Sequence, residues 1–152
     1  MSQRRRLAVL LLAPAVALGL SACTAEENRP LPTATPVQEL DVGTYRSTSL
    51  TSTSEFEFTD PDDSLTMWID DESGDRIAID NPCNTLGSSF VLADGVLTPG
   101  DVSTTLAACA PPGDAIDRWV GSILSEPLTV TRSGSELTFT NDWGQMVFAP
   151  ER

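Results

Sequence analysis

Cys83-Asn84-Thr85-Leu86-Gly87-Ser88-Ser89-Phe90-Val91-Leu92-Ala93-Asp94-Gly95-Val96-Leu97-Thr98-Pro99-Gly100-Asp101 runs on through Val102 to Thr105-Leu106-Ala107-Ala108-Cys109. Two cysteines enclose two apolar runs, and Asp94-Gly95 between them is the dipeptide that two-residue hairpin turns favour. The stretch reads as strands near 87–92 and 95–99, with a third short run from Val102 to Ala107. Around it the same pattern repeats. Thr44–Leu50 is β-prone, and Glu55-Phe56-Glu57-Phe58-Thr59 alternates with period two. Leu65–Ile69 and Arg76–Ile79 flank an acidic turn at Asp70–Asp75, and Leu128–Thr131 and Leu137–Thr140 flank Ser133-Gly134. Asn141–Gly144 then turns into Met146–Phe148.

One helix interrupts the strands. Ile116, Trp119, Val120, Ile123 and Leu124 fall at i, i+3, i+4, i+7 and i+8, a single apolar stripe. Asp114 is the N-cap candidate, with Asp117 three residues on, and Pro127 ends the run. The fold class that follows is mostly β (α+β): a small antiparallel, barrel-like sheet with one packed helix.

The first residues are of another kind. Arg4, Arg5 and Arg6 precede an apolar run, Leu7–Leu20, of 14 residues, short of the ~20 that span a bilayer as a helix. Leu20-Ser21-Ala22-Cys23 closes it and resembles a bacterial lipobox. The resemblance implies cleavage before Cys23, lipidation of that cysteine with diacylglyceryl and fatty acyl chains such as palmitate, and a location at the extracytoplasmic face of the cell membrane. Two or more chains would make a stable anchor. The chain divides into a signal peptide (1–22), a lipidated cysteine with a Pro-rich flexible tether (23–42) and a folded domain (43–150).

Of three cysteines, Cys83 and Cys109 remain, either as a disulfide or as two buried thiols; export favours the disulfide. With two thiols and no histidine, a zinc site lacks ligands.

Charge and composition exclude several functions. The net charge is −13, with 22 acids against 9 arginines, and there is no lysine. Such a surface argues against nucleic acid as a partner. Without histidine or lysine neither a Ser-His-Asp triad nor a Ser-Lys pair can form. No catalytic residue and no cofactor is assigned. Asp60, Asp62 and Ser64 fit the first positions of a calcium loop, but Leu65 stands where that loop needs glycine. Asp70, Asp71 and Asp75 form a second acidic group. Charge runs mostly serve solvation, so these are read as a solvated face, with weak calcium binding as the alternative. Trp68 and Trp119 read as core. Trp143, at a turn, is read as folding back on the core, with a contact to a partner or sugar as the alternative. Asn84 reads as a turn residue.

Taken together, these segments resemble the META domain of the heat-shock-lipoprotein type. The resemblance rests on Pro82-Cys83-Asn84 with Phe90 after it, Thr105–Cys109, Trp119 and Ile123 in the helix, Gly144-Gln145-Met146-Val147-Phe148 at the end, and the opening Gly43-Thr44-Tyr45. Pro82 stands where the family has glycine, and Gly87 falls one place before the family's next glycine, at Ser88. The resemblance implies a barrel-like β fold and a link to stress response and the envelope, with no agreed activity. The functional expectation is a non-catalytic accessory lipoprotein binding an envelope protein. The alternative is a carrier holding a lipid or other apolar ligand inside the curled sheet.

Overall fold

The computed structural model describes residues 33–53, 56, 65–70 and 75–152. Among the described residues ten strands and one helix follow in order: β1 (Thr35–Pro36), β2 (Gly43–Ser52), β3 (Thr66–Asp70), β4 (Arg76–Asp80), β5 (Thr85–Ala93), β6 (Val96–Pro99), β7 (Ser103–Thr104), α1 (Gly113–Leu124), β8 (Leu128–Ser133), β9 (Glu136–Asn141) and β10 (Gly144–Pro150). Every pairing is antiparallel. The order β8-β6-β5-β4-β3-β2-β10-β9 returns to β8 through the β8–β9 hairpin, which closes an eight-stranded barrel. Closure removes the open sheet edges that invite association. The two-residue strands lie outside this ring, β1 beside β8 and β7 beside β5.

Alternation decides which side chains fill the barrel. In β3, Met67 and Ile69 are buried while Trp68 and Asp70 are not; in β4, Ile77 and Ile79 are buried between exposed or half-buried neighbours. Leu86 and Phe90 of β5, Leu97 of β6, Leu128 and Val130 of β8, Leu137 and Phe139 of β9, and Met146 and Phe148 of β10 join the same cluster. The stripe of α1 completes it, with Ile116, Trp119, Val120, Ile123 and Leu124 fully buried. Phe139 and Phe148 meet edge to face at 6.0 Å.

Local chemistry sets the corners. Asp94 and Gly95 both take positive φ (51° and 77°), as the tight β5–β6 turn demands. Gly144, at φ 139°, begins β10 where an added Cβ would strike the Thr51 carbonyl oxygen of β2, so only glycine fits there. A register shift at Val147/Phe148 bends β10 along β2, a common device for curving a sheet.

Several expectations need correction. The folded part does not begin at Gly43: β1 pairs with β8, and Val37 and Leu40 are buried in the core. Residues 35–42 are therefore part of the fold and not tether, because Val37 and Leu40 found a hydrophobic surface to cover. Trp68 is not core; it points outward from β3 and is 38% exposed. The run from Val102 shrinks to the two residues of β7. Asp114 is not the N-cap, since Gly113 already begins the helix and Pro112 caps it without a side-chain bond. Asp114 instead pairs with Arg118 one turn on, at 3.5 Å. Of the alternating segment at 55–59, only Phe56 is among the described residues.

The junction between the 37–42 segment and the barrel carries a pH signature. The Tyr45 hydroxyl donates to the Asp41 carbonyl at 2.8 Å, and Arg132 pairs with the Asp41 carboxylate at 2.8 Å. Burial raises the Tyr45 phenol above its ordinary value of 10.0; Asp41 pushes the same way and Arg132 opposes. A folded state that resists ionisation keeps its full contribution below the unfolded value and loses it as pH climbs through the raised one. With one tyrosine and no lysine, titration near pH 10 belongs to this phenol. Stability is expected to fall above about pH 10, and Tyr45→Phe to blunt that fall. Urea midpoints between pH 8 and 11 check it; equal slopes in both proteins would contradict it.

Candidate functional site

Cys83 and Cys109 are joined in a disulfide, with Cα atoms 5.6 Å apart. The bridge ties the turn between β4 and β5 to the segment before α1, and a buried polar cluster sits on it. Asn81 accepts from the Cys83 and Asn84 amides at 2.9 and 3.1 Å, while its own amide nitrogen donates to Asp117 at 3.0 Å. Asn84 donates to the other Asp117 oxygen at 3.1 Å and accepts from the Thr105 hydroxyl and the Ala107 amide, at 3.0 and 2.8 Å. The Thr105 hydroxyl in turn accepts from the Thr85 amide at 3.0 Å. One carboxylate on the helix thus collects two asparagines, and one asparagine gathers the turn, the helix and the 105–107 segment. Buried amides and carbonyls without such partners would each cost about 1–3 kcal/mol.

Asn84 is therefore a buried hub rather than a turn residue in a left-handed conformation; its φ is not positive. Asp117 serves this hub and not the helix cap. The sequence signal was present, Asn-x-x-Asn around a cysteine with an acid beside the apolar stripe of a helix, but only tertiary contact joins them.

Two grooves flank other expected residues. Trp143 is half-buried at the β9–β10 turn, packed on the core and edge-on to Phe56 at 6.0 Å and 67°. Its carbonyl accepts the Trp119 indole N–H at 2.9 Å, and its amide donates to the Asn141 side chain at 3.0 Å. Beside it Glu126, Pro127, Thr129, Thr140 and Asp142 line an open groove of about 450 Å³. Asp70 ends β3 and Asp75 precedes β4, at the rim of a second groove of about 400 Å³ formed with residues 38–42 and β5. The sequence reading missed that groove, because it counted residues 38–42 as tether.

No group of three metal-ligating side chains forms among the described residues. Asp60, Asp62, Asp71 and Cys23 lie outside the described residues. The arrangement built by Asn81, Asn84, Asp117 and the disulfide positions backbone; it offers no nucleophile with a base beside it.

The profile of the META domain family matches residues 38–152. The chain belongs to the META domain family. Two solved structures are similar to it in fold. One, described as the NMR structure of the protein from Burkholderia xenovorans, superposes with a TM-score of 0.58 at 19% identity, covering 74% of this chain and 83% of its own. Another, described as the NMR structure of the protein, gives a TM-score of 0.52 at 21% identity over 78% of this chain and 96% of its own. No curated protein is a detectable relative of the chain by sequence.

Within this META domain the departure at Gly87 resolves simply. Neither Gly87 nor Ser88 takes a positive φ; both lie in β5, with Ser88 facing inward and bonded from its hydroxyl to the Ser89 carbonyl at 2.7 Å. The residues that carried the resemblance are structural. Trp119, Ile123 and Phe148 are core, and Gly144 makes the close approach to β2. META domains are not a known enzyme family, and the barrel fits a non-catalytic accessory protein.

Proposed function

We propose that the protein is a non-catalytic contact module, held at the extracytoplasmic face of the cell membrane by lipid on Cys23, where it serves a stress-related or accessory role by binding another envelope protein. The observation that carries this reading is the filled barrel. Met67, Ile79, Leu97, Leu128, Phe139, Phe148 and the helix stripe pack into one cluster at zero exposure, and the described grooves open outward. A barrel plugged by its own side chains gives an acyl chain no interior to enter, which weighs against the carrier alternative. Outer surfaces are what such a molecule offers a partner.

Two measurements on the full chain in its host test the reading. Metabolic labelling with a palmitate analogue is expected to mark the wild-type protein and not Cys23→Ala, and the variant is expected to leave the membrane fraction. Crosslinking in intact cells is expected to trap a protein partner. Equal membrane retention of Cys23→Ala would overturn the anchor, and a purified protein that carries a co-eluting lipid would restore the carrier.

A further inference from the structure

The groove at the barrel rim differs from the others in its lining. Leu40, Val42, Ile69, Phe90, Val91 and Leu92 form its floor and walls, and Glu39, Asp70 and Asp75 stand around them. Val42 is 56% exposed and Val91 66%, and of the large apolar side chains left in water among the described residues these two share one groove. The walls are held in place. Tyr45 and Arg132 both grip Asp41, and the Phe90 amide donates to the Asp75 carbonyl at 2.8 Å. Arg76 lies across the β3–β4 ladder from Asp70 and lines the neighbouring outer depressions.

We infer that this groove docks a cationic amphipathic peptide segment of a partner protein, its apolar side chains seated on Val42, Val91 and Leu92 and its lysines or arginines facing Glu39 and Asp75. Charge complementarity selects the occupant. Glu39 and Asp75 line the site with no cation among its described lining residues, on a chain of net charge −13, which repels a second copy of itself and anionic lipid headgroups alike. Apolar contact supplies affinity, and the carboxylate rim supplies orientation and association rate. The inference rests on the contact-module reading and names its surface.

The test uses the isotope-labelled protein and a synthetic 12-residue peptide alternating leucine and lysine. One control peptide carries glutamate for lysine, the other serine for leucine. Amide shifts are expected to centre on residues 40–42, 69, 75 and 90–92, and neither control should reproduce them. Val91→Glu, at an exposed strand position, should weaken binding about tenfold, the loss expected from one unburied valine. Asp75→Asn, which keeps a side chain tolerant of its φ of 85°, should weaken binding and flatten its salt dependence. Shifts scattered over the acidic surface and indifferent to Val91→Glu, equal binding of the glutamate peptide, displacement of the peptide by a fatty acid, or no binding at about 1 mM would each overturn the inference. Crosslinking to a cellular protein that survives Val91→Glu would sink this groove while leaving the contact module standing. Peptide binding without any crosslinked protein would do the reverse.

Discussion

Replacing Trp119 with alanine is expected to destabilise the domain by about 3–5 kcal/mol, enough to leave it largely unfolded near physiological temperature. The indole is fully buried, and it is the side chain through which the stripe of α1 reaches the core. Its N–H donates at 2.9 Å to the Trp143 carbonyl, which also receives the Thr53 amide at 3.2 Å. Truncation therefore removes a large apolar surface, leaves a cavity that an eight-stranded ring cannot collapse to fill, and loosens the β9–β10 turn. Trp119→Phe separates these effects. It keeps most of the apolar volume and loses the hydrogen bond, so its cost should be about 1–2 kcal/mol. Urea titrations followed by far-UV circular dichroism measure both. A loss below about 1 kcal/mol for the alanine variant would mean that the helix does not seal the barrel.

The paired change Cys83→Ala/Cys109→Ala is expected to cost about 3.5 kcal/mol, from the freedom returned to the unfolded chain across the closed loop. For a domain of this size that is a fall in Tm of roughly 10–20 °C. The bridge spans a sequence separation of 26 and sits against the Asn81–Asn84–Asp117 cluster, which holds the same turn by hydrogen bonds. The two devices can therefore substitute for one another in part. Asn84→Ala in the oxidised protein should cost about 2–4 kcal/mol, because it leaves one Asp117 oxygen and the Ala107 amide without their partner. Combined with loss of the bridge it should cost more than the sum of the separate losses. Thermal melts with and without reductant settle the matter; a reduced protein that melts with the oxidised one would show that the cluster alone holds the turn.

Much of the barrel was legible because its code is local. Alternation in β3, β4, β8 and β9, the Asp94-Gly95 turn and the 3.6-residue stripe of α1 each sit within a dozen residues, and each appears where its pattern predicts. Trp68 shows the limit of that logic. It occupies an outward position between inward Met67 and Ile69, so the period already placed it outside, and its apolar character misled the reading. The candidate site was less legible. Asn84 looked like a turn former because asparagine tolerates the left-handed backbone of turns, yet its side chain is spent on Asp117, Thr105 and Ala107, at separations of 33, 21 and 23 residues. No local pattern marks such a meeting.

The sequence by itself determined the strand faces, the tight turns and the buried stripe of the helix, and it left Cys83 and Cys109 as the candidate disulfide that the structure joins. These depend on the spacing of side chains along one segment, which fixes what each element can bury. Only the tertiary structure decided which strands are neighbours: that β2 lies along β10, that β6 meets β8 across the helix, and that β8–β9 closes the ring. It also drew Val37 and Leu40 out of the tether and set residues 38–42 beside β5 to make the rim groove. Those outcomes come from pairings between segments far apart in the chain, where several partners satisfy the same alternation and only the simultaneous burial of the whole core selects one.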